Sequence, residues 1–105
     1  MSIRTMEAPD PHLVIAILDE EWRPQRTVPL DVGWQDALLR LIADEESWVA
    51  LIQRRSPALS PAPRAADLML TRLLFRSLRA LGIGLADHVI EAGQDRFSFR
   101  TAGLL

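Results

Sequence analysis

Residues 48–67 read WVALIQRRSPALSPAPRAAD, and the fold is decided inside this stretch. Trp48-Val49-Ala50-Leu51-Ile52 is a short continuous apolar run, the pattern of a strand buried on both faces. Pro57, Pro61 and Pro63 cannot donate to a backbone ladder, so the residues after the run form a loop. From Ala65 to Leu81 the pattern is helical, with Leu70, Leu73, Leu74, Leu78 and Leu81 predicted on one face and Arg72, Arg76 and Arg79 on the other. Gly82 is placed to end that helix in a left-handed cap. A buried strand, a stiff loop and a helix in this order carry polar side chains to a helix N-terminus, with Asp67 in the first turn.

Outward from this core the pattern alternates between strand and helix. Leu13–Leu18 reads as a second buried strand, Asp19–Pro24 as a turn and Arg26–Leu30 as a hairpin partner. Asp31 suits the cap of another helix, with Trp34, Leu38, Leu41 and Ile42 at helical spacing and Asp44-Glu45-Glu46 closing it. Ser47–Gln53 is the expected extent of the strand before the loop, and two further strands, Leu85–Glu91 and Arg96–Arg100, flank a turn at residues 92–95. The expected class is α/β: a single domain with a mixed β-sheet flanked by helices. Residues 1–11 read as a flexible lead-in and 12–105 as the domain. No repeat or low-complexity tract is present.

Composition limits the functions open to such a domain. With 105 residues there is room for one core. No cysteine is present, which removes disulfides, thiolate nucleophiles and thiolate metal sites. No apolar run reaches the roughly 18 residues of a membrane helix, and the first residues lack the order of a signal peptide. The expected compartment is the cytoplasm. The net charge of −2 argues against a nucleic-acid coat. All 12 basic residues are arginine, which a G+C-rich gene explains more simply than a functional demand for guanidinium. Residues 1–53 hold 10 acids and 4 arginines while residues 54–105 hold 4 acids and 8 arginines. Mutual neutralisation of the two halves is the plainer reading of this asymmetry, and an interaction face is the other.

From about Leu51 onward the chain resembles the RadC-like branch of the JAMM/MPN (JAB) metalloprotease superfamily. The family frame between strand and helix runs His-x-His-Pro-Ser-Gly-Asp-Pro-x-Pro-Ser-x-x-Asp. Laid on it without a gap, Pro57, Pro61, Pro63 and Asp67 match, while Arg54 and Ser56 stand where the histidines belong and Arg64 where the serine belongs. Leu81-Gly82-Ile83 with Asp87-His88-Val89-Ile90, and Phe97-Ser98-Phe99-Arg100 with Gly103-Leu104-Leu105, resemble the segments that follow. The resemblance implies a JAMM/MPN, cytidine-deaminase-like fold. It also implies a zinc ion on two histidines and an aspartate, with a glutamate as base and a serine at the oxyanion. Thr27 or Val28 falls near the glutamate position, so the glutamate is read as absent.

Of the implied ligands only Asp67 remains, and arginine does not deprotonate to bind a metal. The expectation is therefore a catalytically inactive pseudoenzyme with no metal, no cofactor and no catalytic residue. It would act as a protein-interaction or anion-binding module, through a protein partner or self-association. Arg54, Ser56, Arg64 and Asp67 line the vestigial cleft in this reading, Arg55 is a further anion contact, and Arg54 or Arg64 is predicted to neutralise Asp67. Clustered guanidinium groups suit carboxylate or phosphate guests. The alternatives are a zinc-dependent metallopeptidase or isopeptidase of the family, and a nucleic-acid-binding accessory using the Arg72/Arg76/Arg79 stripe. A link to DNA repair attaches to the family label alone. His88 reads as a satisfied structural histidine, His12 carries no signal, and Trp22, Trp34 and Trp48 read as packing residues.

Overall fold

The computed structural model describes residues 13–29 and 48–105. The expected lead-in, the helix after Asp31, and His12 and Trp34 lie outside the described residues.

Among the described residues, five strands and one helix, α1, follow in chain order: β1 (Leu13–Leu18), β2 (Pro24–Pro29), β3 (Trp48–Arg55), α1 (Ala65–Ala80), β4 (Gly84–Ala92) and β5 (Asp95–Ser98). They form one mixed sheet in the order β2-β1-β3-β4-β5. Only β3 and β4 run parallel; every other neighbouring pair is antiparallel. A parallel pair needs a crossover connection, which α1 supplies. This is the expected α/β class with a mixed sheet.

Strand alternation sorts the core into two layers. Ile15 and Ile17 on β1, Val49 and Leu51 on β3, and Leu85 on β4 pack with Leu74 and Leu78 of α1. Ala16, Leu18, Ala50 and Ala86 form a second buried cluster with Trp48 and Ile52. The small side chains of this second layer accompany a close approach: a Cβ on Gly84 would come within 2.5 Å of the Trp48 ring. That ring lies 5.2 Å from Trp22, over which the Arg100 guanidinium stacks at 4.7 Å. The expected packing role holds for these two tryptophans.

One irregularity reverses the phase of β4. Val49 pairs with Leu85, but Ala50 pairs with Asp87, so Ala86 is an extra residue. A bulge of this kind exchanges the faces of everything beyond it. Simple alternation from Leu85 would turn His88 away from α1. With the extra residue, His88 stands beside Leu51 on the face that α1 covers.

The strand limits correct three expectations. β2 starts two residues earlier than predicted. β3 continues through Arg54 and Arg55, which are therefore strand residues on opposite faces rather than loop residues. β5 ends at Ser98, because the Asp87 carboxylate gathers the next residues into a turn. It accepts from Ser98 Oγ at 2.6 Å and from the Arg100 N–H at 3.0 Å. The buried stripe of α1 also differs, running through Asp67, Thr71, Leu74 and Leu78, while Leu73 is 56% and Leu81 43% exposed. Apolarity alone had favoured those leucines; the first two buried positions are polar because they serve the site below.

Gly84→Ala drives a methyl group into the Trp48 ring and is expected to lower stability by about 1–3 kcal/mol, the usual cost of overpacking. Urea unfolding followed by tryptophan fluorescence measures this, and an unchanged midpoint would refute the close contact.

Candidate functional site

The polar site forms where β3 ends and α1 begins. Arg64 takes the N-cap position in extended backbone, and Asp67 is the third helical residue. Its carboxylate reaches back to accept from the Arg64 N–H at 2.7 Å, satisfying a backbone donor that the helix leaves unpaired. An acid in the first turn also meets the positive end of the helix dipole. Only 5% of Asp67 is exposed.

Two side chains from β3 complete the shell of this carboxylate. Gln53 and Arg55 are two residues apart and share the strand face that α1 covers. Gln53 Nε2 donates to Asp67 Oδ1 at 3.1 Å, and the Arg55 guanidinium pairs with Asp67 Oδ2. Both members of the ion pair have only 7% of their side chains exposed. Burial would raise the Asp67 carboxyl, but the hydrogen bonds from Arg55, the Arg64 N–H and Gln53, with the charge of Arg55, outweigh it and hold it below its ordinary value. The guanidinium has a second task. Its other terminal nitrogen donates to the carbonyls of Ser60 at 3.2 Å and Ala62 at 3.0 Å, tying the proline-rich loop to the strand.

From Gln53 the network enters the core. Gln53 uses its amide nitrogen on Asp67, so its Oε1, 2.9 Å from His88 Nε2, accepts a hydrogen bond there. That places the ring proton on Nε2 and leaves Nδ1 as an acceptor for the Thr71 hydroxyl at 2.5 Å. Thr71 also lies 2.9 Å from the Asp67 carbonyl, one helical turn back. His88 is fully buried, with its ring stacked on Phe99 at 4.2 Å. Burial first, helped by the Arg55 charge and opposed by Asp67 and Asp87, lowers its pKa to about 4. The ring is a neutral, satisfied structural histidine, as its lone position on a strand suggested.

The structure assembles the expected residues differently from the ungapped frame. Asp67 is neutralised by an arginine, but by Arg55; the reading that assigned Arg54 or Arg64 is corrected. Arg54 points to the opposite face and pairs with Glu91 at 3.2 Å, in a half-exposed contact of the kind worth at most about 1 kcal/mol. Arg64 contributes its backbone N–H. Ser56 caps the loop, accepting from the Ala58 N–H at 3.2 Å. Val28 is buried in the core, and Glu20 and Glu21 stand in the β1–β2 turn, beside the Trp48 end of β3 and a strand length from Arg55. Gln53 and Thr71 were missed as site residues. Strand alternation back from Arg55 and helical spacing forward from Asp67 are the signals that point to them. Among the described residues, no group of three or more His, Cys, Asp or Glu side chains is placed to hold a metal ion. Nor is any described helix long and apolar enough to cross a membrane.

A strand-loop-helix carrying a buried aspartate at N3, over a parallel strand pair, defines an α/β domain of the JAB/MPN class. The chain matches the RadC-like JAB domain over residues 5–104 and belongs to that family. A UPF0758 protein of Neisseria meningitidis serogroup B (strain MC58) is 34% identical over 68 residues, covering 65% of this chain and 30% of the relative. A UPF0758 protein of Neisseria gonorrhoeae (strain FA 1090) is similar to the same extent. The match thus spans under a third of the length of these curated relatives.

Two outcomes follow from this geometry. Arg55→Met leaves the Asp67 carboxylate buried without its cation and is expected to cost about 3–5 kcal/mol in urea unfolding; a loss below 1 kcal/mol would refute a buried pair. The second outcome concerns pH. The folded pKa of His88 is about 4, below its ordinary 6.5, so the unfolded chain binds the extra proton between these values. Stability is therefore complete above pH 6.5 and declines by about 3 kcal/mol as pH falls to about 4. The lowered Asp67 adds a further loss below its ordinary 3.8. In His88→Phe the decline between pH 6.5 and 4 should largely vanish, which denaturant midpoints across this range will show.

Proposed function

We propose that this chain is a RadC-like JAB domain that works by binding rather than by metal-dependent hydrolysis. The observation that carries the reading is the saturation of Asp67: one carboxylate oxygen accepts from Gln53, the other from Arg55 and the Arg64 N–H. A catalytic zinc needs about three protein ligands with free lone pairs and an open position for water. The residues here do not fit that ion. Arg55 brings a permanent positive charge to the carboxylate, Gln53 is a weak neutral donor already spent on both sides, and both nitrogens of His88 are engaged. The domain then keeps the scaffold of its family while its chemistry is that of a sealed ion pair.

A binding role draws support from the outer side of α1. Met69 is 68% exposed, Leu73 56% and Phe75 39%, and Arg72, Arg76 and Arg79 are exposed among them. Thr71, Arg72, Phe75 and Arg76 line a cavity of about 200 Å3 with Leu104 and Leu105. Apolar side chains set between arginines suit a protein surface that is both apolar and acidic, a partner or a second copy of the chain.

Elemental analysis of protein prepared in zinc-replete medium without chelators tests the hydrolysis half of the proposal. Zinc far below one equivalent, with no cleavage of peptide or isopeptide substrates, is expected; one firmly held equivalent would overturn it. Charge-reversal of Arg72 and Arg76 should abolish pull-down of a partner from native extract. Retention of nucleic acid that weakens steeply with salt would instead favour the nucleic-acid accessory.

A further inference from the structure

From this reading of Asp67, we infer that Gln53 and Arg55, and not the residues at 54 and 56, occupy the two metal-ligand places of this domain. The Arg55 guanidinium then stands in for the cation itself. The inference rests on which side chains share a face. Two ligands separated by one residue on a strand must both point toward the third, and here the third is Asp67 on α1. Gln53 and Arg55 meet that condition, since both touch the Asp67 carboxylate. Arg54 points away to Glu91, and Ser56 has left the strand to cap the loop.

The ungapped frame is therefore offset by one residue at its start. The additional residue is taken up between Arg55 and Asp67, in a loop that two serine-capped turns shape. There Ser56 Oγ accepts from Ala58 N–H at 3.2 Å and Ser60 Oγ from Ala62 N–H at 3.0 Å. The same guanidinium that meets Asp67 also gathers the Ser60 and Ala62 carbonyls. A cation bound at this point would face the same set of oxygens, one carboxylate and the loop. The arrangement is a metal frame closed by a side chain, and it predicts that two substitutions reopen it.

The test compares Gln53→His/Arg55→His with Arg54→His/Ser56→His, both in the full chain, using Co2+ as a spectroscopic probe and Zn2+ for stability. The first variant should bind one equivalent of Co2+ with the intense visible bands of a four-coordinate site, and Zn2+ should raise its melting temperature. The second should do neither. Loss of Arg55 also destabilises the apo form, so a first variant that is unfolded alone and refolds with Zn2+ counts as support. Binding by the Arg54/Ser56 variant alone would overturn the assignment. So would a Gln53/Arg55 variant that stays folded without binding, or stays unfolded in Zn2+. Zinc in the wild-type chain would instead refute the proposed lack of hydrolysis, and the comparison of the two variants would still decide the ligand face.

Discussion

A carboxylate withdrawn from water at the start of a helix must be given a positive partner, and the Arg55–Asp67 pair meets that demand. Much of the local structure depends on it. Asp67 closes the first turn of α1, Arg55 ties down the proline-rich loop, and Gln53 is oriented by the one carboxylate oxygen that Arg55 leaves. Prolines at 57, 61 and 63 reduce the freedom the loop must lose, while the guanidinium supplies donors for carbonyls that prolines cannot serve. Stiffening and clasping are complementary here.

Polarity then propagates inward in a fixed sense. The Asp67 charge sets the Gln53 amide, the amide sets the His88 tautomer, and the ring nitrogen left bare takes the Thr71 hydroxyl. Each group in this series is satisfied by the next, which is what permits a histidine with no exposed surface to sit against Phe99. The series costs the fold two apolar positions on the buried stripe of α1. It gains an arrangement of strand, loop and helix in which each of these polar side chains has a partner.

Much of this was legible in the sequence. The apolar runs of β1 and β3, the proline punctuation, the long helix and its glycine stop all follow from local stereochemistry. The family resemblance adds the expectation that an arginine neutralises Asp67. What escaped was the phase of side chains. Ending β3 at Gln53 leaves the ungapped frame to favour Arg54 over Arg55 as the partner of Asp67; carrying the strand two residues further places the two on opposite faces and gives the pair to Arg55. Ranking helix positions by apolarity favoured Leu73 and Leu81 over Asp67 and Thr71, since a polar residue earns burial only through a partner on another element. Those partners, Gln53 and His88, lie on strands that no helical spacing connects to α1.

The extra residue at Ala86 has a consequence for how such domains diverge. Beyond it, each side chain of β4 trades the sheet side it would otherwise occupy, so taking Ala86 into regular pairing would export the imidazole and import Asp87 under the helix. Loss of the bulge at constant length swaps a neutral ring for an acid, with the backbone path nearly preserved. Lineages built on this architecture can therefore alter what lies beneath the helix by gaining or losing a bulge, without substituting any residue at the site itself.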